Sequence, residues 1–196
     1  MDRERFERQR DFILEIDREK EVLRQTHITG YARREDDAEH AWHMAVMAYL
    51  LGEYANEPVD IARTMIMCLV HDVVEIDAGD SYAYDSSAQA THVERETRAA
   101  ERIFGLLPDD QAADLRTLWE EFEADETPEA RFARAMDNVQ PLMLNDSNGG
   151  RDWVAHDVSI HETRGRNATT RLGSAELADY VEERFEANVE KGSLRP

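Results

Sequence analysis

The chain has 196 residues, 41% of them hydrophobic, which is enough for one buried core and too few to divide comfortably into two domains. Its 43 acidic residues against 23 basic ones leave a formal charge of −20, which repels nucleic-acid backbones at long range and argues against a polymeric nucleic-acid partner. A small anionic ligand stays compatible, because a metal ion and a few local arginines outweigh the overall field at close range.

The longest apolar run, Met65 to Val70, falls far short of the roughly 20 residues that a membrane span needs. Residues 1–20 are highly charged, so the sequence predicts a soluble, cytoplasmic protein with no membrane partner. Cys68, the single cysteine, lies inside the apolar run and reads as a small buried hydrophobe without a redox role.

Strand signals are nearly absent and helical spacing recurs throughout, which predicts an all-α fold: a single domain over residues 1–196, built as a bundle of about seven or eight helices. Phe6, Ile13, Ile16 and Leu23 share one face of a helix over residues 2–25, and the pattern breaks at Gly30. Asp36 with Glu39 makes a capping pair that opens a helix through Trp42, Val46, Leu50 and Tyr54. Pro58 starts a third helix with Ile61, Met65, Leu69 and Val70, whose lack of polar alternation predicts burial on most sides.

The acidic stretch "DAGDSYAYDSSAQA" is too polar for core and too aromatic for an inert linker, and reads as a lid or site loop. Thr91 and Glu94 form a capping box for a helix to about Phe104, stopped by "GLLPDD". Leu115, Leu118, Trp119 and Phe122 mark a fifth helix. Thr127 caps a sixth, with Pro128 at its first position, running past Phe132, Ala135, Met136 and Asp137 to Pro141. Pro141 lacks the N–H that the Asp137 carbonyl would accept from, which predicts a kink. "NDSNGGRDW" reads as a second irregular loop, and Ser174 caps a last helix that reaches Lys191 and stops at Gly192.

Several polar groups stand out against this frame. His71 and Asp72 close the buried third helix, and adjacent residues at a helix end diverge by about 100°, so both reach one ion only if it lies off that end. Glu75 shares the face of His71 if the helix continues. His40 lies one turn into a helix opening on "REDDAEH", an acidic first turn that the helix dipole favours and that therefore proves little alone. Asp137, after apolar Ala135 and Met136, must be paired, metal-bound or turned to water. Spacing leaves two readings of His40, His71, Asp72 and Asp137 open: a metal site, or groups satisfied in ordinary structural ways. For His27, His92, His156 and His161 solvation or one hydrogen bond is the simpler reading, and His43 reads as a packed core histidine that could also face the site.

The stretches "AEHAWH", "LVHDVVEIDAGD" and "FARAMDNVQP", with "VLRQT" at 22–26, "RRED" at 33–36 and "LWEEFEADETPEARFARAMD" at 118–137, resemble the HD-domain phosphohydrolases, in the subgroup of short proteins similar to bacterial 5′-deoxynucleotidases. The likeness covers residues 15–150, with C-terminal helices over 159–191 expected to pack on that core. It implies an all-helical pocket in which His40, His71, Asp72 and Asp137 hold one divalent ion such as Co²⁺, Mn²⁺ or Mg²⁺, with Zn, Fe or Ni as occupants to be met in a crystal. A metal-activated water then removes phosphate from a deoxyribonucleoside 5′-monophosphate. Glu75 and Asp80 match the acidic residues beside the phosphate, one taking the nucleophile's proton and the other orienting water or donating to the leaving 5′-oxygen. Arg24 matches an arginine that approaches the phosphate. Arg34 is a second substrate-binding candidate, with pairing to a carboxylate of the preceding loop as the equal alternative. The resemblance also implies a homodimer.

The chain departs from the better-known members in two places. Gln25 and Thr26 follow Arg24 where those members carry a tryptophan near the sugar, and "SYAYDSSAQA" replaces a proline-containing loop. Sugar and base selectivity therefore do not carry over. Glu-x-x-His and His-Glu-x-x-His are both missing, and only His92 lies between Asp72 and Asp137, which argues for one metal. The competing expectations are a hydrolase of nucleoside triphosphates or of another phosphorylated metabolite, and a nucleotide-binding regulator without turnover. The complete set of ligands and acids speaks against the last.

Overall fold

The structure, a computed structural model, describes residues 1–79 and 92–196, and Asp80, the Thr91 cap and the 81–90 loop lie outside the described residues. Helix α1, Arg3–Ile16, starts where the Asp2 side chain accepts from the Arg5 backbone N–H. The single helix expected over 2–25 does not form. It gives way to a 3-10 turn at Asp17–Glu21 and then to strand β1, Leu23–His27, which pairs antiparallel with β2, Arg34–Asp36. Leu23 opposes Asp36 and His27 opposes Arg34, across a tight turn in which Gly30 and Tyr31 both take positive φ.

That hairpin is held from far along the chain. Asn148 donates to the carbonyls of His27 and Ile28 at 3.1 and 3.0 Å and accepts from the Gly30 N–H at 3.0 Å. Asp152 accepts from the His27 N–H at 2.9 Å. A five-residue strand with so weak an alternation needs these partners to exist at all.

Helix α2, Asp37–Leu51, opens on the expected capping box of Asp36 and Glu39. Its buried face is His40, Ala41, Met44, Ala45 and Ala48, while the stripe of Trp42, Val46 and Leu50 faces outward. Helix α3, Ile61–Val70, begins after Asp60 rather than at Pro58, because the Asp60 carboxylate accepts from the Arg63 N–H and supplies the cap. A tight turn through His71 and Asp72 leads to the one-turn helix α4, Glu75–Ala78. Helices α5, His92–Phe104, and α6, Asp109–Ala124, follow.

Helix α7, Pro128–Ser147, is capped by Thr127 as expected, and runs through Pro141. It thereby takes up the start of the expected loop, leaving only Asn148 and the positive-φ pair Gly149 and Gly150 before α8, Arg151–Ala155. Helices α9, Ile160–Arg166, and α10, Thr170–Gly173, lead to α11, Ala175–Glu190, which starts at the Ser174 cap with Gly192 at φ 78° just beyond it. Among the described residues α1, α2, α3, α5, α6, α7 and α11 run ten residues or longer, in keeping with an all-α bundle of seven or eight main helices.

Helix α7 is the axis of the core. Phe132, Met136 and Val139 on it are wholly buried, against Met44 of α2, Met67 of α3 and Phe122 of α6. The C-terminal helices close over the same axis through Leu177, Val181 and Phe185. Cys68 is buried as expected, and burial pushes its thiol up, out of reach of ordinary thiolate chemistry.

Candidate active site

His40, from the second turn of α2, is completely buried, and His71 sits at the end of α3 with 3% exposure. His71 uses Nδ1 to donate to the Cys68 carbonyl of its own helix at 2.9 Å, which turns Nε2 away from the helix end. Asp72 follows on the turn, so neither residue has to point sideways from a continuing helix. One ligand atom from each of His40, His71 and Asp72 falls within 4.8 Å of the others. Asp137 joins from α7, with Oδ1 at 3.2 Å from His40 Nε2. The four residues expected as ligands therefore converge, from three helices and a turn.

The electrostatics of this group are set by burial and by neighbouring charges, with Asp72 partly exposed at 17% of its side chain. Burial pushes His40 down to about 4, helped by the Arg24 charge, so it is neutral. Burial also works against a charged His71, yet the Asp72 carboxylate outweighs it and raises His71 to about 9. Asp72 and Asp137 both lie below the usual carboxylate range: burial opposes ionisation, but His71 and Arg24 hold Asp72 down, and Arg166 holds Asp137 down.

These residues fit a divalent ion. His71 Nε2 lies 3.1 Å from Asp72 Oδ2 in an ion pair whose geometry makes no hydrogen bond, leaving a buried ring nitrogen whose hydrogen-bonding capacity is unmet. Two imidazole nitrogens and two carboxylates form a mixed nitrogen and oxygen donor set suited to first-row divalent ions. Because His71 is raised, binding such an ion would release its proton.

A cavity of about 830 Å³ opens beside this group, lined by His71, Asp72 and Asp137, while His40 stays fully buried and off its wall. Arg24 reaches it from β1, with Nη1 at 2.7 Å from Asp72 Oδ2 and 3.0 Å from Asp37 Oδ1. Glu75, the first residue of α4, is buried on the same wall. Arg34 is not brought into this group: it is exposed on β2 and does not line the cavity. Asp80 lies outside the described residues. Asp77 is tied to Arg102 of α5 through a two-pronged ion pair, one arm at 2.9 Å, so it bridges two helices.

Two arginines on the cavity are not singled out by the sequence. Arg134 lies one turn before Asp137, 3.6 Å from its Oδ2, with its guanidinium 3.8 Å over the Phe122 ring. That i, i+3 relation is visible in sequence. Arg166 of α9 places a nitrogen 2.8 Å from the same Oδ2 across a separation of 29 residues, for which no sequence signal exists. Of the other histidines, His27 has its simple partner, Asp152 at 2.7 Å, and His156 lines the cavity.

The HD domain family profile matches residues 16–178. The chain belongs to the HD-domain family. The matched span takes in Arg24, all four converging residues and Arg166, and so extends beyond the 15–150 region that carries the motifs. Among curated proteins, the 5′-deoxynucleotidase HDDC2 of Danio rerio is 32% identical over 120 residues, covering 59% of this chain and 58% of its own. The human 5′-deoxynucleotidase HDDC2 is 32% identical over 111 residues, covering 57% and 53%. The HD-domain chain thus spans a little over half the length of these curated relatives. Among solved structures, a predicted metal-dependent phosphohydrolase from Magnetospirillum magnetotacticum is 47% identical, with a TM-score of 0.93 over 98% of this chain and 96% of that one.

Proposed function

We propose that this HD domain is a metal-dependent phosphohydrolase whose best-supported reaction is removal of phosphate from deoxyribonucleoside 5′-monophosphates. The observation that carries this reading is the convergence of two imidazoles and two depressed carboxylates, of which His71, Asp72 and Asp137 lie on the wall of a cavity that Arg24 and Arg166 also line. The relatives named as 5′-deoxynucleotidases support the choice of substrate. In this reading His40, His71, Asp72 and Asp137 hold one divalent ion, with Co²⁺, Mn²⁺ and Mg²⁺ as the candidates. A bound ion supplies Lewis acidity toward a phosphate oxygen and acidifies a coordinated water.

The chain's own groups do the rest. Arg24 and Arg166 flank the carboxylates and offer guanidinium forks to an anionic phosphate that the surrounding acids would otherwise repel. Arg134 adds charge on the same side without reaching as far. In this reading Glu75 and Asp80 are the two acids, one taking the nucleophile's proton and the other orienting water or donating to the leaving 5′-oxygen. A nucleoside triphosphate is the second reading, favoured by a cavity of about 830 Å³, near the upper end for small-molecule sites.

The substrate in either reading is a small nucleotide. No helix among the described residues is long and apolar enough to cross a membrane, and the unpaired, buried Cys68 suits the reducing cytoplasm, where we place the protein. We also propose a homodimer, supported by the outward apolar stripe of α2.

The test is phosphate release from a panel of 5′-dNMPs and NMPs by chelated protein reloaded with individual metals, with Asp72→Ala as control. Monophosphate turnover restored by one or more metals and reduced to background in Asp72→Ala is the expected result. If no metal restores turnover on any monophosphate, the phosphomonoesterase reading fails. Release of pyrophosphate or triphosphate from dNTPs alone selects the second reading, and an active Asp72→Ala overturns the metal site.

A further inference from the structure

Gln140 lies one turn beyond Asp137 on α7 and has no exposed surface. Its Nε2 donates to Glu35 Oε1 at 2.6 Å and to His43 Nδ1 at 3.1 Å, while its Oε1 stands 3.0 Å from His40 Nδ1. A primary amide has two N–H groups. Both are spent here, one on a carboxyl oxygen and one on a ring nitrogen, so of Gln140 only the amide oxygen is left to face His40 Nδ1, nearer than Glu35 Oε2 at 3.7 Å.

An acceptor facing Nδ1 requires the hydrogen of neutral His40 to sit on Nδ1. The Nε2 lone pair then points at Asp137 Oδ1, 3.2 Å away. Two acceptors then face each other where His40 has no exposed surface; Arg166, 2.8 Å from Asp137 Oδ2, offsets the carboxylate from one side, and a cation between the two acceptors would satisfy both. The opposite amide orientation would present an N–H to Nδ1, force the hydrogen onto Nε2 and close that ligand position with a hydrogen bond to Asp137.

We infer that Gln140, held in place by Glu35 and His43, is the positioning residue that fixes His40 in the metal-binding tautomer. The inference rests on the metal-site reading above and deepens it. An ionised Glu35 fixes this orientation because a carboxylate only accepts. His43 acts alongside it with its own hydrogen on Nε2, which leaves Nδ1 to accept the second amide hydrogen and opposes the flip. Gln140 stands within the "FARAMDNVQP" stretch, where no feature of the sequence distinguishes it from its neighbours.

Three measurements on the full chain decide the matter. Thermal melting reports folding, titration calorimetry of chelated protein with Co²⁺ reports metal affinity, and long-range ¹H–¹⁵N NMR of the imidazole nitrogens reports the His40 tautomer. Wild type is expected to carry the His40 hydrogen on Nδ1. Gln140→Met is expected to melt cooperatively and to bind Co²⁺ about 10- to 100-fold more weakly, the range for loss of an outer partner of a metal-bound histidine. The double variant Glu35→Gln with Gln140→Glu exchanges the two groups: the new carboxylate accepts from His40 Nδ1–H and is held by the new amide, so most of the affinity returns.

Wild-type affinity in Gln140→Met, or a wild-type His40 hydrogen on Nε2, overturns the inference. A Gln140→Met that does not fold leaves the tautomer of the wild type and the double variant to decide: no Co²⁺ affinity in a folded double variant counts against the inference as well. If wild type itself binds no Co²⁺, the metal-site reading fails, and the tautomer measurement still judges Gln140 separately.

Discussion

Glu19 lies on the 3-10 turn, 6% exposed as a residue, with one carboxyl oxygen without a hydrogen-bond partner and the Asp72 charge near enough to disfavour ionisation. Burial first, then Asp72, pushes it up to about 8. Between the ordinary carboxylate range and that value the folded chain holds a proton that the unfolded chain has lost. The Glu19 contribution to stability is therefore complete below the ordinary range and lost as pH rises toward about 8. Glu19→Gln should remove this slope: in chelated protein the melting temperature of wild type should fall relative to the variant between pH 6 and 8.5. Parallel melting curves would show that Glu19 is ionised throughout. Arg166 carries a second prediction. Arg166→Gln removes one charge-assisted contact of about 1.5–3 kcal/mol, so inhibition of the metal-loaded enzyme by inorganic phosphate should weaken roughly ten-fold or more. Unchanged phosphate inhibition would remove Arg166 from the substrate site. The residues of the site were legible in unequal measure for a physical reason. His71 and Asp72 are adjacent and Asp137 stands in an apolar context that demands a partner, whereas Arg166 and Gln140 owe their roles to neighbours 29 and about 100 residues away.

At the scale of elements, α7 is the part on which most else depends. It presents Asp137 and Gln140 on one side and receives α10 against its backbone on another. Gly173 is the point of approach: a Cβ built there would overlap the Arg131 carbonyl and the Phe132 Cα, neither of which can move without shifting α7. Gly173→Ala should therefore cost about 1–3 kcal/mol, read in calorimetry as a melting temperature lower by roughly 2–12 °C. No change in melting would mean that α10 packs more loosely than the structure has it. Helix starts were mostly readable because caps are local: Asp36 with Glu39, Thr127 and Ser174 each bind a backbone N–H within three residues. The hairpin of β1 and β2 was not readable. Its partners, Asn148 and Asp152, lie more than 100 residues further on, and its short strands carry no strong alternation of their own.

Across the whole molecule, the outward face of α2 and α3 presents Trp42 at 63%, Tyr49 at 67%, Leu50 at 63%, Ile66 at 43% and Leu69 at 43% exposure. A chain with a charge of −20 repels its own copies, so association through such a face should strengthen with salt as that repulsion is screened. Sedimentation of wild type is expected to give a dimer that tightens between 50 mM and 500 mM salt, and Leu50→Glu a monomer that keeps its melting temperature. A monomeric wild type at every salt concentration would end the homodimer reading. The sequence by itself determined the class of fold and the positions of most main helices, because helical spacing and caps are written within a few positions of one another, and its family resemblance named the four converging ligand candidates. Only the tertiary structure decided which face of α2 is buried, where the N-terminal helix yields to a hairpin, and how Arg166 and Gln140 reach Asp137 and His40. Those outcomes depend on the meeting of segments far apart in the chain, and the energy of burying a polar group is set by whatever partner the fold brings to it.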